Sequence, residues 1–513
     1  MAGPRVIIVG AGPAGIRCAE TLVAAGVRPV VIDEGSRDGG QIYRRQPEAF
    51  TRSYATLYGT EAARAQAIHR TFDVLRSQID YRPETLAWNV ADGHLYTVRG
   101  SRQAAVPFDA LALCTGATDR LMPVKGWNFA GTYSLGGTQV ALKAQACSIG
   151  KRVVFVGTGA LLYLVAAQYL KAGAGVAAVL DTSLWSRRIS ALPKLLANPK
   201  ALWNGVALTR ALRRGGVPVH TGIEPVEIAG TAEAGVTGFA FKDAGGQIHR
   251  IACDAVALGY HLRPETQLAD LARCEFHFDA DTRQWLPRAD ADGRTSVRGV
   301  YLAGDGACVL GANAAESAGR LAALAVLKDV AHLASPAARQ DASQRAALPD
   351  AESARGQRAQ AEYAVRASAE LAQTSNPTRE REMHELRAEL ARLRRFAQGL
   401  SHAFPWPAQQ AAHLTDDTIV CRCESVTVGE LRRVVLQAGA RESNRAKAFS
   451  RVGMGRCQGR YCGHAAAEVI AHAANVSLED VGRLRGQAPV KPLPIAVETP
   501  VTPVDAPATE ESA

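Results

Sequence analysis

The stretch from Arg5 to Gly15, RVIIVGAGPAG, limits the fold of this chain more than any other. A β-branched run followed by Gly10-x-Gly12-x-x-Gly15 reads as a buried strand turning tightly into a helix. The glycines admit a close turn, the approach of a pyrophosphate and tight packing of helix on strand, while the helix N-terminus offers unpaired amides to an anion. Gly10, Gly12, Ala14 and Gly15 are therefore the expected phosphate turn. Glu34, nineteen residues beyond Gly15 and at the end of PVVIDE, is the expected acceptor for ribose hydroxyls. Spacing alone does not separate FAD from NAD.

The strand, turn and helix pattern returns from Lys151 to Asp181, with Gly157-x-Gly159 in the turn. Here the third glycine position holds Leu162, which weakens a conventional NAD site. NAD(P), another adenine nucleotide and a purely structural role all stay open for this second unit. At 513 residues the chain exceeds one core, and its 47% apolar and 21% charged residues are ordinary for globular domains. The expected class is α/β. Two nested Rossmann-like dinucleotide-binding domains are expected, at 1–130 with 255–330 and at 131–254. A helical connector at 331–414, a small helical domain at 415–488 and a disordered tail at 489–513 complete the chain.

No segment reads as a signal peptide, and glycines interrupt the longest uncharged run, Val153–Leu170, so no transmembrane span is expected. Cys18, Cys114, Cys147, Cys253, Cys274 and Cys308 lie scattered through apolar elements, as reduced thiols do in the cytoplasm. In the connector, Met383, Leu386, Leu390, Leu393, Ala397 and Leu400 recur at three and four spacing. That stripe suits a helix packed on its own chain, with a partner subunit as the alternative.

The remaining cysteines have another pattern. Cys421-x-Cys423 is followed after thirty-three residues by Cys457-x4-Cys462. Four thiolates suit zinc or iron-sulfur, but zinc knuckles favour two intervening residues, and CxC departs from that. Cys457 and Cys462 would diverge on a helix, so CQGRYC needs a loop, which Gly459 supports. The loop feeds a helix N-terminus, and residues 421–465 carry nine Lys/Arg against three Glu, a positive setting for an anionic cluster. Six of the ten net positive charges are gathered there, which fits an acidic electron-transfer partner and not nucleic acid.

Three resemblances follow from these residues. The glycine turn, GGQIYRR at 39–45, LCTGATDR at 113–120 and VYLAGDGA at 300–307 resemble the FAD-binding elements of flavoproteins with two dinucleotide-binding domains. That resemblance implies FAD held by Gly40, Gln41, Thr115, Gly116, Gly304 and Asp305, with Asp305 on the flavin side. The redox-active CxxC of thioredoxin reductase relatives is missing from 1–330. VCRCESVTVGEL and GRCQGRYCG resemble the bacterioferritin-associated-ferredoxin-like 2Fe-2S domain, which implies that Cys421, Cys423, Cys457 and Cys462 hold the cluster.

The whole order resembles the large subunits of bacterial heteromeric amine and imino-acid dehydrogenases, of the opine oxidase, hydroxyproline dehydrogenase and hydrogen cyanide synthase type. The resemblance implies a D-amino-acid-oxidase-like FAD subunit that oxidises an amino or imino acid, a small ferredoxin-like subunit, and a quinone or electron carrier as acceptor. It also implies peripheral placement at the inner membrane through the complex. The residues agree in one respect: 1–330 shows no general base, nucleophile or substrate clamp, and His261 and Arg263 read as packing residues ahead of flavin contacts. A self-contained NAD(P)H-dependent reductase and a nucleotide-bound scaffold with a structural cluster are the rivals.

Overall fold

The computed structural model describes residues 4–49, 52–333, 377–494 and 502–503. Its first layer is a parallel sheet of five strands in spatial order Val300–Leu302, Ala110–Leu113, Val6–Val9, Val30–Ile32, Asp80–Arg82. Val6–Val9 and Ala110–Leu113 are buried throughout, as strands covered on both faces must be. Helices Pro13–Ala24 and Ala312–Leu333 cover one face, so close together that a Cβ on Gly319 would lie 2.0 Å from the Ala14 carbonyl oxygen.

A second parallel sheet runs Val219–Thr221, Val176–Asp181, Val153–Thr158, Ala255–Tyr260, Thr132–Ser134. The domain boundary expected at 255 is thereby corrected. Strand Ala255–Tyr260 belongs to the second sheet, and the chain returns to the first domain through Leu262–Pro264, paired with Ala117–Asp119. In each sheet the connections leave the central strand in opposite directions. That places one crevice beyond Val9 and Leu113, and another beyond Thr158 and Tyr260.

The helix Pro377–Ala403 lies on its own chain, as the apolar stripe predicts. Met383 and Leu386 pack on Leu321 and Leu324, while Gly399 lets the helix approach the Leu195 backbone. Residues 334–376 of the connector lie outside the described residues. Arg387 clamps the helix to the first domain through two hydrogen bonds to Asp292, at 2.7 and 2.9 Å. Burial works to raise the Asp292 carboxyl, but Arg387 and Arg294 overcome it and hold it below its ordinary value. The stabilisation is therefore fully present at neutral pH and lost as pH falls through that lowered value, below about 4. Arg387→Ala is expected to cost about 1–3 kcal/mol in a denaturant titration at neutral pH, and little once Asp292 is protonated.

The C-terminal domain contains helices Val428–Ala438, Ser443–Ser450 and Gly463–Ala474. Its core is continuous with that of the second sheet, and Trp127 Nε1 donates to the Ile419 carbonyl at 2.6 Å. Part of the tail expected to be disordered from 489 is described: residues 489–494, and Thr502–Pro503, which pair in parallel with Ala104–Ala105. Val490 is buried under the first domain, its amide donates to Trp88 O at 3.1 Å, and Lys491 pairs with Glu34. An isolated valine among prolines carries no periodicity, but it has a pocket to fill.

Candidate functional site

The first crevice gathers the turn and the segments that resemble FAD-binding elements. Gly10 has φ +108°, and a Cβ there would sit 2.3 Å from the Cys114 carbonyl oxygen; one on Gly15 would sit 1.8 Å from Gly10 O. Gly12 meets Gly40 across the turn, with a Cβ on Gly40 only 2.9 Å from Gly12 Cα, and Gly39 N donates to Ala11 O at 2.9 Å. No side chain caps the helix beginning at Pro13, which leaves its first amides for an anion.

Thr115 Oγ1 donates to Glu265 O at 2.6 Å, and Gly116 has positive φ over open space. Gly304 packs beside Ala14, bringing Asp305 to the same crevice. Asp305 Oδ1 accepts from the amides of Leu310 and Gly311, at 2.9 and 3.0 Å, while burial raises its carboxyl above the usual range. This cradle, which side chains would fill, fits the FAD that the resemblance implies, with the glycine turn and Asp305 lining one crevice.

Two predicted residues sit differently. Glu34 points outward to Lys491, whereas Asp33 lies on the glycine turn, its Oδ2 accepting from Ala11 N at 2.5 Å and its Oδ1 from Gly35 N at 2.6 Å. Asp33, and not Glu34, thus faces the glycine turn, because side chains alternate across a strand end. Gln41 is exposed and accepts from Arg44 Nη2 at 2.7 Å. Gly10→Ala is expected to strain the turn by about 1–3 kcal/mol before the clash with Cys114 is counted. Purified protein would show a lower flavin absorbance per chain.

The second crevice is filled by the chain itself. Phe404 O accepts from His261 Nε2, and its ring stands 6.4 Å from Tyr163 and 4.9 Å from the Arg188 guanidinium. Trp406 lies 3.8 Å from the Arg120 guanidinium and edge-on to Tyr260, and its Nε1 donates to Glu468 at 3.0 Å. Burial pushes Arg120 down to about 9 against the pull of Glu468. Asp181, the acid of this unit, is fully buried and accepts from Thr158, Tyr163, Ser183 and Arg188 at 2.7–2.8 Å. Leu162 is equally buried, packed between helix and strand. Gly157 and Gly159 keep positive φ, but a Cβ on Gly159 would meet the His261 ring at 3.1 Å. His261 and Arg263 are packing residues, the latter donating to Arg460 O at 3.0 Å.

The four C-terminal cysteines come together. Cys421 lies beside Cys462, Cys462 beside Cys457, and Cys457 beside Cys423, near enough for the thiols to perturb one another. The amides of Gly453 and Glu424 point at Cys421, and those of Gly459 and Tyr461 at Cys457. Mainly through the contact each makes with Cys462, the Cys421 thiol is lowered to about 6 and Cys457 to about 5. Among the described residues no three His, Cys, Asp or Glu side chains form a site for a single metal ion. A two-iron cluster asks instead for two pairs of thiolates and for N–H groups aimed at sulfur, a donor set present here. Cys421 and Cys462 are buried and Cys423 is exposed, so one edge of that site faces the surface. On the inner side, Arg460 Nε donates to Glu265 at 2.7 Å, which ties the cysteine loop to the strand beside Thr115.

Comparison with known proteins agrees with both sites. Residues 4–340 match the pyridine nucleotide-disulphide oxidoreductase family, and residues 419–472 match the BFD-like [2Fe-2S] binding domain. The large, or A-type, component of opine oxidase from Rhizobium meliloti is 34% identical over 507 residues, covering 96% of this chain and 86% of that protein. Hydrogen cyanide synthase subunit HcnB of Pseudomonas aeruginosa is 30% identical over 501 residues, covering 96% and 97%. The crystal structure of L-proline dehydrogenase from P. horikoshii shares the fold, with a TM-score of 0.61 at 16% identity over 97% of this chain and 80% of that one. The chain therefore belongs to the pyridine nucleotide-disulphide oxidoreductase family, as a large FAD- and 2Fe-2S-containing oxidoreductase subunit related to those of opine oxidase and hydrogen cyanide synthase.

Proposed function

We propose that this chain is the electron-transfer subunit of a heteromeric dehydrogenase, in which a separate D-amino-acid-oxidase-like flavin subunit oxidises an amino or imino acid of the opine, hydroxyproline, proline or glycine type. The observation that carries the reading is the filled second crevice. Phe404 and Trp406 pack on His261 and Tyr260 beside the second glycine turn, and Asp181 has its lone pairs committed. That packing counts against the NAD(P)H-reductase rival.

FAD accepts two electrons and releases them singly, and a 2Fe-2S cluster carries one at a time. The chain's own residues fit that traffic. Gly10, Gly12, Asp33, Thr115 and Asp305 would hold the flavin nucleotide, and the four cysteines the cluster. The Glu265–Arg460 pair fixes the distance between the two sites, while the exposed Cys423 edge, among basic residues, suits an acidic carrier such as a small ferredoxin-like subunit on the way to a quinone.

The test is co-expression with the neighbouring open reading frames. The chain alone should show no dehydrogenase activity with any amine or imino acid and an artificial acceptor, whereas the co-purified complex should turn over one of them. Turnover by the chain alone would refute the division of labour.

A further inference from the structure

Helices Trp185–Ser190, Leu192–Leu195 and Pro199–Arg214 follow the second sheet's strand Val176–Asp181. Their inner side is spent on the connector helix, where Ala191 and Leu195 pack with Ala403 and where Leu202 joins Phe396 and Leu400. Their outer side is apolar as well. Seven of the fourteen exposed large apolar residues in the described chain fall between Leu184 and Val206, with Trp185 57% and Trp203 64% exposed. A helix apolar on both sides is ordinarily buried on both sides. On the long helix Trp203, Val206, Ala207 and Arg210 form one exposed stripe at helical spacing.

The charge on this surface has a single sign. From Thr182 to Ile223 there are seven Lys/Arg and no Asp or Glu. Arg210 stands 5.5 Å from the Trp203 ring, whereas Arg188, 5.1 Å from the Trp185 ring, is paired inward with Asp181 and leaves six cations for the surface. Exposed Trp, Leu and Ile interleaved with cations is the composition of an element lying in a bilayer interface, where indole rings sit at headgroup depth and basic side chains meet anionic lipid. A protein interface would present a pocket for the partner's anchor residue or a charge-depleted centre. No helix of the described residues is long and apolar enough to cross a membrane.

We infer that the surface from Leu184 to Arg214 docks this chain on an anionic lipid bilayer. Attachment then belongs to the large subunit itself and does not await assembly of a complex. The inference stands apart from the electron-transfer reading, and failure of either leaves the other untouched.

The test uses the flavin- and cluster-loaded chain with vesicles of phosphatidylcholine, alone or mixed with phosphatidylglycerol. The chain should sediment with the mixed vesicles at low salt, its tryptophan emission should shift to the blue, and added salt should release it. A W185S/W203S double variant should keep its flavin and cluster absorbance yet partition about tenfold or more weakly. Four results would overturn the inference. The chain could stay in the supernatant with both vesicle types, or the double variant could bind as well as the parent. Tryptophan emission could already be blue and unmoved by vesicles, meaning that the patch is covered within the chain. Lastly, the double variant could dissolve a dimer or release a co-purified subunit, meaning that the patch is a protein interface.

Discussion

Cys457→Ser is expected to yield a chain without iron. Cys457 lies beside both Cys462 and Cys423, so its loss leaves one of the two irons with a single thiolate and the cluster without a complete ligand set. Metal affinity of a thiolate set counts toward folding, because the unfolded chain has no formed site. The domain also shares its core with the second sheet, so the effect spreads: Cys421 and Cys462 line the same apolar cluster as Val156 and Tyr260. The expected result is loss of both irons by metal analysis, loss of the cluster's visible bands, and a lowered unfolding midpoint. Flavin in the first crevice should be retained, since Gly10 and Asp305 lie in other contacts. Retention of two irons by the serine variant would place the cluster elsewhere.

Trp406→Ala is expected to destabilise the chain by about 3–5 kcal/mol, the range for removing a large buried aromatic side chain. Three partners lose contact together: the Arg120 guanidinium at 3.8 Å, the Tyr260 ring at 5.9 Å and the Glu468 carboxylate at 3.0 Å. Arg120 is only 3% exposed; it would keep its bonds to the Thr282 and Arg283 carbonyls, at 2.8 and 3.0 Å, but lose the ring that covers its face. Urea unfolding checks the figure. Trp406→Phe should recover most of it, since Phe fills the space and forfeits only the bond to Glu468. A cost below about 1 kcal/mol for the alanine variant would mean that the segment is loosely laid over the crevice and that a nucleotide could displace it.

The sequence makes some of this legible and hides the rest for physical reasons. The glycine turns and the cysteine quartet are local: a positive φ at Gly10, or sulfur donors at fixed spacing, restricts what a few neighbours can do wherever they are placed. Asp33 and Glu34 show the limit of spacing. Both are acidic and adjacent, and a shift of one residue turns a side chain to the opposite face, so the count from Gly15 points to Glu34 while the strand register points Asp33 at Ala11. AVALGY at 255–260 is apolar enough for either sheet, which hides the true boundary. The filling of the second crevice is entirely long-range: His261 meets Phe404 across 143 residues. Only Pro405 and Pro407, which cannot continue the helix, hint that the chain does something particular there. Leu162 marks the departure from the glycine pattern there without saying what lies in the crevice.

The measurement that bears most directly on the electron-transfer role is an anaerobic spectral titration of the FAD- and 2Fe-2S-loaded chain, alone and with its co-expressed partner subunit. NADH and NADPH should leave the flavin and cluster bands of the isolated chain unchanged, whereas the amino or imino acid substrate should bleach both bands only when the partner is present. Stoichiometric bleaching of the isolated chain by NADH or NADPH would contradict the account and make this chain a reductase in its own right.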